Sequence, residues 1–103
     1  MPESAEEQGS WGVRRLRVTG RVQGVGFRWF VRQVARAHGV RGWVRNEPNG
    51  DVLTEFAGSA EAIQALEEAI ARGPDGSRVD RVVTESPSVL DTRVLPAPFV
   101  VER

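Results

Sequence analysis

The chain has 103 residues, no cysteine, no lysine and a formal net charge of zero, with 14 basic residues balanced by 14 acidic ones. This length predicts one domain with a modest core. The missing cysteine and lysine exclude disulfides, thiolate or lysine nucleophiles, cysteine metal sites and the lysine of a Walker phosphate loop. The balanced charge is unlike the basic surplus that nucleic-acid-binding proteins usually carry, and no apolar run is long enough to cross a membrane.

The first residues, MPESAEEQGS, are polar and acidic. They lack the apolar stretch of a signal peptide, and their composition is typical of disorder. We therefore expect a disordered tail over 1–12 and a folded domain over 13–103. The absence of cysteine predicts a cytoplasmic protein.

Apolar periodicity predicts two helices and five strands along the chain. Strand-like alternation and helix-like spacing follow one another in this order: a strand over 14–19, a helix over 27–38, strands over 42–46 and 51–57 joined by a turn, a helix capped by Ser59, and strands over 78–85 and 99–101. This order predicts an α+β, ferredoxin-like βαββαβ sandwich, in which an antiparallel sheet of four to five strands carries two helices on one face. His38 falls on the apolar stripe of the first helix and is expected to be a partly buried packing residue.

The segment GRVQGVGFR, residues 20–28, places three glycines at the start of the first helix. We call residues 21–26 the glycine loop. No side chain there can cap the helix, so the first amides are left free for an anion, and the helix dipole favours one. A plain tight turn with water on those amides is the alternative.

Arg28 favours the anion site over the plain turn. It lies in the first helical turn, where the positive end of the helix dipole makes a cation unfavourable. A residue that is unfavourable for local structure often has a functional role. A guanidinium beside free amides suits phosphate, although an ordinary surface ion pair would also explain one arginine among the 14.

The available side chains restrict the reaction that a bound phosphate could undergo. No nucleophile and no cluster of metal ligands lies near the loop in the sequence. A carboxyl–phosphate mixed anhydride needs neither, because its leaving group is a carboxylate with a pKa of about 4. Phosphoryl transfer then requires positioning, charge stabilisation and a group that aims water. Asn46, at the end of a predicted strand, can both donate and accept, but asparagine also commonly begins turns.

Two motifs at these positions resemble the acylphosphatase family. They read Gly20-x-Val22-Gln23-Gly24-Val25-x-Phe27-Arg28, and Gly42-Trp43-Val44-Arg45-Asn46 followed by Gly50-x-Val52 and Gly58. The resemblance implies hydrolysis of small acyl phosphates to carboxylate and phosphate without a metal or cofactor. It implies that Asn46 orients the attacking water, and that the phosphate is held by Arg28 and by the backbone amides of Arg21, Val22, Gln23, Gly24, Val25 and Gly26.

Two other functions remain open at this point. The chain could be an accessory domain of the same fold that handles carbamoyl phosphate, or a ferredoxin-like module that binds nucleic acid. For the enzyme we expect a monomer with a small-molecule substrate and no nucleic acid or membrane partner. So small a set of functional residues predicts broad tolerance for the acyl group.

Overall fold

The structure, a computed structural model, describes residues 11–103. They form five strands and two helices, with a short 3₁₀ helix (Thr92–Val94) before the last strand. In chain order the elements are β1 (Gly12–Arg21), α1 (Phe27–Ala37), β2 (Arg41–Asn46), β3 (Val52–Gly58), α2 (Ala60–Arg72), β4 (Arg78–Glu85) and β5 (Val100–Glu102). This order confirms the ferredoxin-like α+β fold. Most of the predicted tail, residues 1–12, lies outside the described residues; of the remainder, Gly12 is already the first residue of β1.

The strands form one sheet in the order β4-β1-β3-β2-β5. The first four pair antiparallel, as predicted, whereas β5 pairs parallel to β2, with Trp43 opposite Val100. The sheet is therefore mixed. The cause is the long connection over 86–99, which carries the chain from the β4 edge to the opposite edge, a crossing that a tight hairpin could not make.

The helices cover one face of the sheet and enclose the core. Leu16, Val18 and Val44 point from the strands toward Phe27 and Val31 of α1, and all five side chains are buried. The apolar spacing of α2 adds Ile63, Leu66 and Ile70 to the same core. None of the helices over 11–103 is long and apolar enough to span a membrane.

α1 ends one residue earlier than predicted. Its last residue is Ala37, and the following Gly39 has a φ of 70°, the left-handed conformation that commonly ends helices. The prediction that His38 is partly buried is wrong: its side chain is exposed, because the residue lies past the helix end, where the apolar stripe no longer faces the core.

The opposite face of the sheet carries an ionic cluster that we call the sheet-face network. It consists of three arginines and four carboxylates: Arg15, Arg17, Arg45, Glu47, Asp51, Glu55 and Glu85. Arg15 bridges Glu55 at 2.8 Å and Glu85 at 3.2 Å, and Arg17 contacts Glu85 at 2.7 Å. Hydrogen bonding from Arg17 lowers the pKa of Glu85.

Glu55 is the fully buried member of this network. Its carboxylate accepts hydrogen bonds from the backbone and hydroxyl of Ser88, both at 2.8 Å, and from the amide of Val89 at 3.2 Å. Burial acts to raise the pKa of Glu55, but the hydrogen bonds from Ser88 and Arg15 outweigh it, and the pKa is lowered. Glu55 therefore fastens the β4–β5 connection across the sheet as a carboxylate.

Candidate active site

Sheet topology brings the two sequence motifs to one edge. β1 and β2 both pair antiparallel with β3, so they run in the same direction and end on the same side. Val18 of β1 and Asn46 of β2 flank the same residue, Val52. The glycine loop after β1 therefore begins beside the position where β2 ends.

The glycine loop is a tight turn with free amides. Gly24 and Gly26 both have a φ of 76°, while a Cβ added to either would meet nothing within 4 Å. The glycines are thus required by backbone conformation rather than by space. Gly26 stands at the cap position of α1 and no side chain caps the helix. Within residues 11–103, no amide from Val22 to Gly26 donates to a protein acceptor.

Buried side chains anchor the loop at both ends. Val22 and Phe27 are each 1% exposed, and Val25 packs against the core between them. Arg21 is the last residue of β1, opposite Arg78 of β4. The backbone from 22 to 26 is therefore held in shape by the core, although Gly24 and Gly26 themselves are exposed.

Arg28 lies half-buried in the first turn of α1, at the end of the loop. Its Nη1 donates to the backbone carbonyl of Glu102 in β5 at 3.0 Å. No carboxylate of the described chain pairs with it, so an ion pair does not account for this arginine. A guanidinium has five N–H donors; in the part of the chain that the structure covers, its other donors make no hydrogen bond.

Asn46 is the last residue of β2, and its side chain shares the helix-covered face with Val44. The preceding residue, Arg45, lies opposite Glu102, whose carbonyl holds Arg28. Arg28 and Asn46 are thereby placed at the same edge. The side-chain amide of Asn46 makes no hydrogen bond to any described residue, and its donor and acceptor both remain available.

Gln23 connects the loop to the turn that follows Asn46. Its Nε2 donates to the carbonyls of Glu47 and Asp51, both at 2.8 Å. The sequence predicted a role only for the backbone amide of Gln23. The side-chain contact depends on two carbonyls that face each other across the β2–β3 turn, and no local sequence pattern reveals that arrangement.

The two acidic side chains of that turn are neutralised by arginines. Arg17 lies 3.4 Å from Asp51 and 3.5 Å from Glu47, and Arg45 contacts Glu47 at 3.0 Å. These pairs lower the local negative charge that an anionic substrate would meet at this edge. Among residues 11–103, no cluster of three or more metal-ligating side chains occurs.

Comparison with known proteins gives one consistent family. The acylphosphatase family model matches residues 14–93. An acylphosphatase of Rhizobium etli is 52% identical over 71 residues, which cover 69% of this chain and 76% of that protein. The structure of an acylphosphatase from Coxiella burnetii superposes with a TM-score of 0.82 at 32% identity, over 94% of this chain and 98% of that one.

A larger protein shares the same fold over part of its length. The structure of T. kodakarensis HypF superposes with a TM-score of 0.70 at 30% identity, over 87% of this chain and 12% of HypF. The family match spans both motifs and the strands that carry them. On these grounds the chain belongs to the acylphosphatase family, hydrolases that act on acid anhydrides.

Proposed function

We propose that this protein hydrolyses small acyl phosphates by direct attack of a water molecule on phosphorus. The water oxygen bonds to phosphorus, the bond from phosphorus to the acyl oxygen breaks, and the products are a carboxylate, inorganic phosphate and one proton. The observation that carries the proposal is the uncapped start of α1, whose free amides lie beside Arg28, a cation with no carboxylate partner in the described chain.

The glycine loop and Arg28 hold the phosphoryl group. The amides of Arg21, Val22, Gln23, Gly24, Val25 and Gly26 donate to it at the positive end of the helix dipole. Those from 22 onward make no bond to protein within residues 11–103. Arg28 adds a permanent charge that strengthens hydrogen bonds to the phosphoryl oxygens as negative charge builds on them in the transition state. The carbonyl of Glu102 restrains the guanidinium at this edge.

Asn46 positions the attacking water. Its amide oxygen can accept a hydrogen bond from the water while its NH₂ donates to the phosphoryl group. Its half-exposed place at the end of β2 leaves access for solvent. Holding water and phosphoryl group together supplies much of the rate enhancement available to such a reaction.

The leaving group requires no acid. A carboxylate has a conjugate-acid pKa of about 4, so it departs as an anion near neutral pH. The one histidine, His38, lies at the C-terminal end of α1, the opposite end from Arg28. No step is therefore assigned to it.

The decisive test is release of phosphate from benzoyl phosphate in EDTA, by the wild type and by two amide side-chain variants. We expect Asn46→Ala to lower kcat by at least ~10²-fold, while inorganic phosphate still inhibits with nearly the same constant. Gln33→Ala, at an exposed position of α1, is the matched control and should keep its kcat. A wild type that does not accelerate hydrolysis contradicts the function, and lost phosphate inhibition in Asn46→Ala contradicts the role of that residue.

The likeness to 12% of the length of HypF supports a second candidate, a domain of this fold within a longer protein. The alternative that the sequence left open assigns carbamoyl phosphate to such a domain. Carbamoyl phosphate is also a carboxyl–phosphate anhydride, so the same residues would act on it. A kcat/KM for carbamoyl phosphate at least about 10-fold above that for benzoyl phosphate would favour this candidate.

The nucleic-acid module is less well supported, because the first-strand arginines that suggested it, Arg15 and Arg17, are paired with carboxylates. The proposal includes a cytoplasmic monomer, which fractionation and sedimentation would test.

A further inference from the structure

A second positively charged site adjoins Arg28. A cavity of about 410 Å³ opens between α1 and the end of the chain, within the size range of small-molecule sites. We call it the arginine cavity. Its lining consists of Arg28, Trp29, Arg32, Arg36, Arg103 and two valines of β5.

The arginines of this cavity differ from most others in the fold because none of them has a carboxylate partner among residues 11–103. Arg28 and Arg36 bond to backbone carbonyls, the latter from its Nε to Phe99 at 2.9 Å. The guanidinium of Arg32 stacks on the ring of Trp29, 4.7 Å from its centroid. No ion pair within residues 11–103 involves any of the four, so no carboxylate of the described chain directly neutralises the charges that they bring to the cavity.

The cavity combines this charge with an apolar wall. Trp29 is 61% exposed at its rim, and Val100 and Val101 form the opposite side. Apolar lining with a few converging polar groups is the usual composition of a small-molecule site. A short carbon chain would therefore lie along the wall, with an anionic group at its far end among the guanidinium groups.

We propose that the arginine cavity binds the acyl half of the substrate and selects acyl groups that end in a second carboxylate, the monoacyl phosphates of short dicarboxylic acids. This inference rests on the proposed function, because it takes the phosphoryl group to lie at Arg28. Residues 28 and 32 are one helical turn apart, about 6 Å along the axis. A four-carbon diacid is long enough to extend from one to the other, and the forked guanidinium of Arg32 matches a carboxylate in shape and charge. The selectivity proposed here differs from the broad acyl tolerance predicted from the sequence, and the two are distinguished by the experiment below.

The experiment compares succinyl phosphate with butyryl phosphate, which has the same number of carbons and no second carboxylate. For the wild type we expect kcat/KM to favour succinyl phosphate by about 10-fold or more. In Arg32→Gln, which keeps a good helix former on α1, the ratio of the two kcat/KM values should fall about 10-fold. Arg81→Gln is the matched control, since Arg81 is exposed on β4, at the opposite edge of the sheet, and should leave the ratio unchanged.

Salt provides a second measurement of the same contact. Raising the ionic strength screens exposed charges, so the ratio should fall with added salt more steeply in the wild type than in Arg32→Gln. Arg32→Gln and Arg103→Gln together should lower the ratio more than either alone, because Arg103 also lines the cavity.

The outcomes separate this inference from the function on which it rests. If neither substrate is hydrolysed, the proposed function fails. If both are hydrolysed and the ratio is the same in wild type and Arg32→Gln, the function stands and the acyl-group site is refuted. If a short DNA duplex inhibits butyryl phosphate hydrolysis by the wild type but not by Arg32→Gln, the arginines belong to a nucleic-acid surface, and the proposal is overturned.

Discussion

The arginines of the sheet-face network and those of α1 are the same residue type in opposite electrostatic settings. Arg15 and Arg17 each contact at least two carboxylates at 2.7–3.5 Å. Within the described residues, Arg28 and Arg36 reach only backbone carbonyls, and Arg32 stacks on an indole ring. One set is neutralised inside the structure, and the other keeps its charge available to a ligand.

This difference shows how a chain with zero net charge can bind an anion. The 14 acidic and 14 basic residues cancel in sum, yet four of the carboxylates lie on the face away from the helices, where they pair with arginines of β1 and β2. Among residues 11–103, the cavity between α1 and β5 is lined by arginines and by no acidic residue. Net charge alone therefore misses the local field that a substrate meets.

The largest expected effect is on catalysis, from Arg28→Ala. We expect kcat/KM for benzoyl phosphate to fall by at least ~10²-fold, because the variant removes the cation beside the transition-state charge. Since the side chain makes one hydrogen bond to a carbonyl, its loss should lower the free energy of unfolding by only about 1 kcal/mol. Steady-state kinetics and urea unfolding measure the two quantities. Full activity in the variant would show that the amides alone suffice, and Arg81→Ala serves as the control.

For Glu55→Gln in the sheet-face network we expect lower stability with unchanged activity, the reverse of Arg28→Ala. Removing the charge leaves Arg15 with a weakened partner and weakens the bonds to Ser88 and Val89. The free energy of unfolding should fall by about 3 kcal/mol, as when one member of a buried ion pair is removed, while kcat per folded molecule is unchanged. Glu68→Gln, on the exposed side of α2, should alter neither quantity. A large loss of kcat in Glu55→Gln would mean that the two sets of arginines are not functionally separate.

Gln23→Ala tests the connection between the two regions, since Gln23 spans from the glycine loop to the turn that the network neutralises. Its backbone amide is retained, so phosphate binding should persist. Loss of the two side-chain bonds should let Asn46 move relative to the loop, with kcat about 10-fold lower and KM nearly constant. The matched variant is Gln33→Ala, at an exposed glutamine of α1. A rise in KM at constant kcat would argue against this positioning role.

The smallest effect is the pH dependence of stability. Glu55 and Glu85 have folded-state pKa values below the ordinary 4.5 of a glutamate, so the unfolded chain binds more protons in acid. Their contribution is complete above pH 4.5 and is lost as the pH falls through the folded-state values. Urea midpoints measured from pH 7 down to pH 3 should show this loss, and Glu55→Gln should show a shallower one. If the urea midpoint falls equally steeply with pH in both proteins, Glu55 does not contribute to the pH dependence of stability.

Local patterns were sufficient for the elements and for the site residues that lie close together in sequence. The alternation around Leu16 and Val18 and the cap at Ser59 predicted β1 and α2, and the structure has Ser59 Oγ accepting from the amide of Ala62 at 3.2 Å. The absence of a capping side chain at Gly26 was equally local and is confirmed. These features depend on a few neighbouring residues, which a sequence displays directly.

The parts that were missed depend on contacts between distant segments. The parallel pairing of β5 follows from a long connection that Glu55 fastens through Ser88, 33 positions away. A glutamate in a strand gives no sign that it will be fully buried. The arginine cavity likewise requires α1 to lie beside Val100 and Arg103, more than sixty positions later in the chain. These features were not predicted because the residues that form them lie far apart in the sequence, and not because their interactions are weak.

The anchoring of the glycine loop by Val22 and Phe27 determines when its conformational entropy is lost. Fixing a residue's backbone costs about 1–2 kcal/mol, and here the core side chains on either side fix residues 23–26 as the protein folds. In the proposed function, the phosphoryl group therefore meets amides that are already ordered and does not have to order them itself. The proposed affinity for phosphate at this loop is in this way coupled to the integrity of the hydrophobic core.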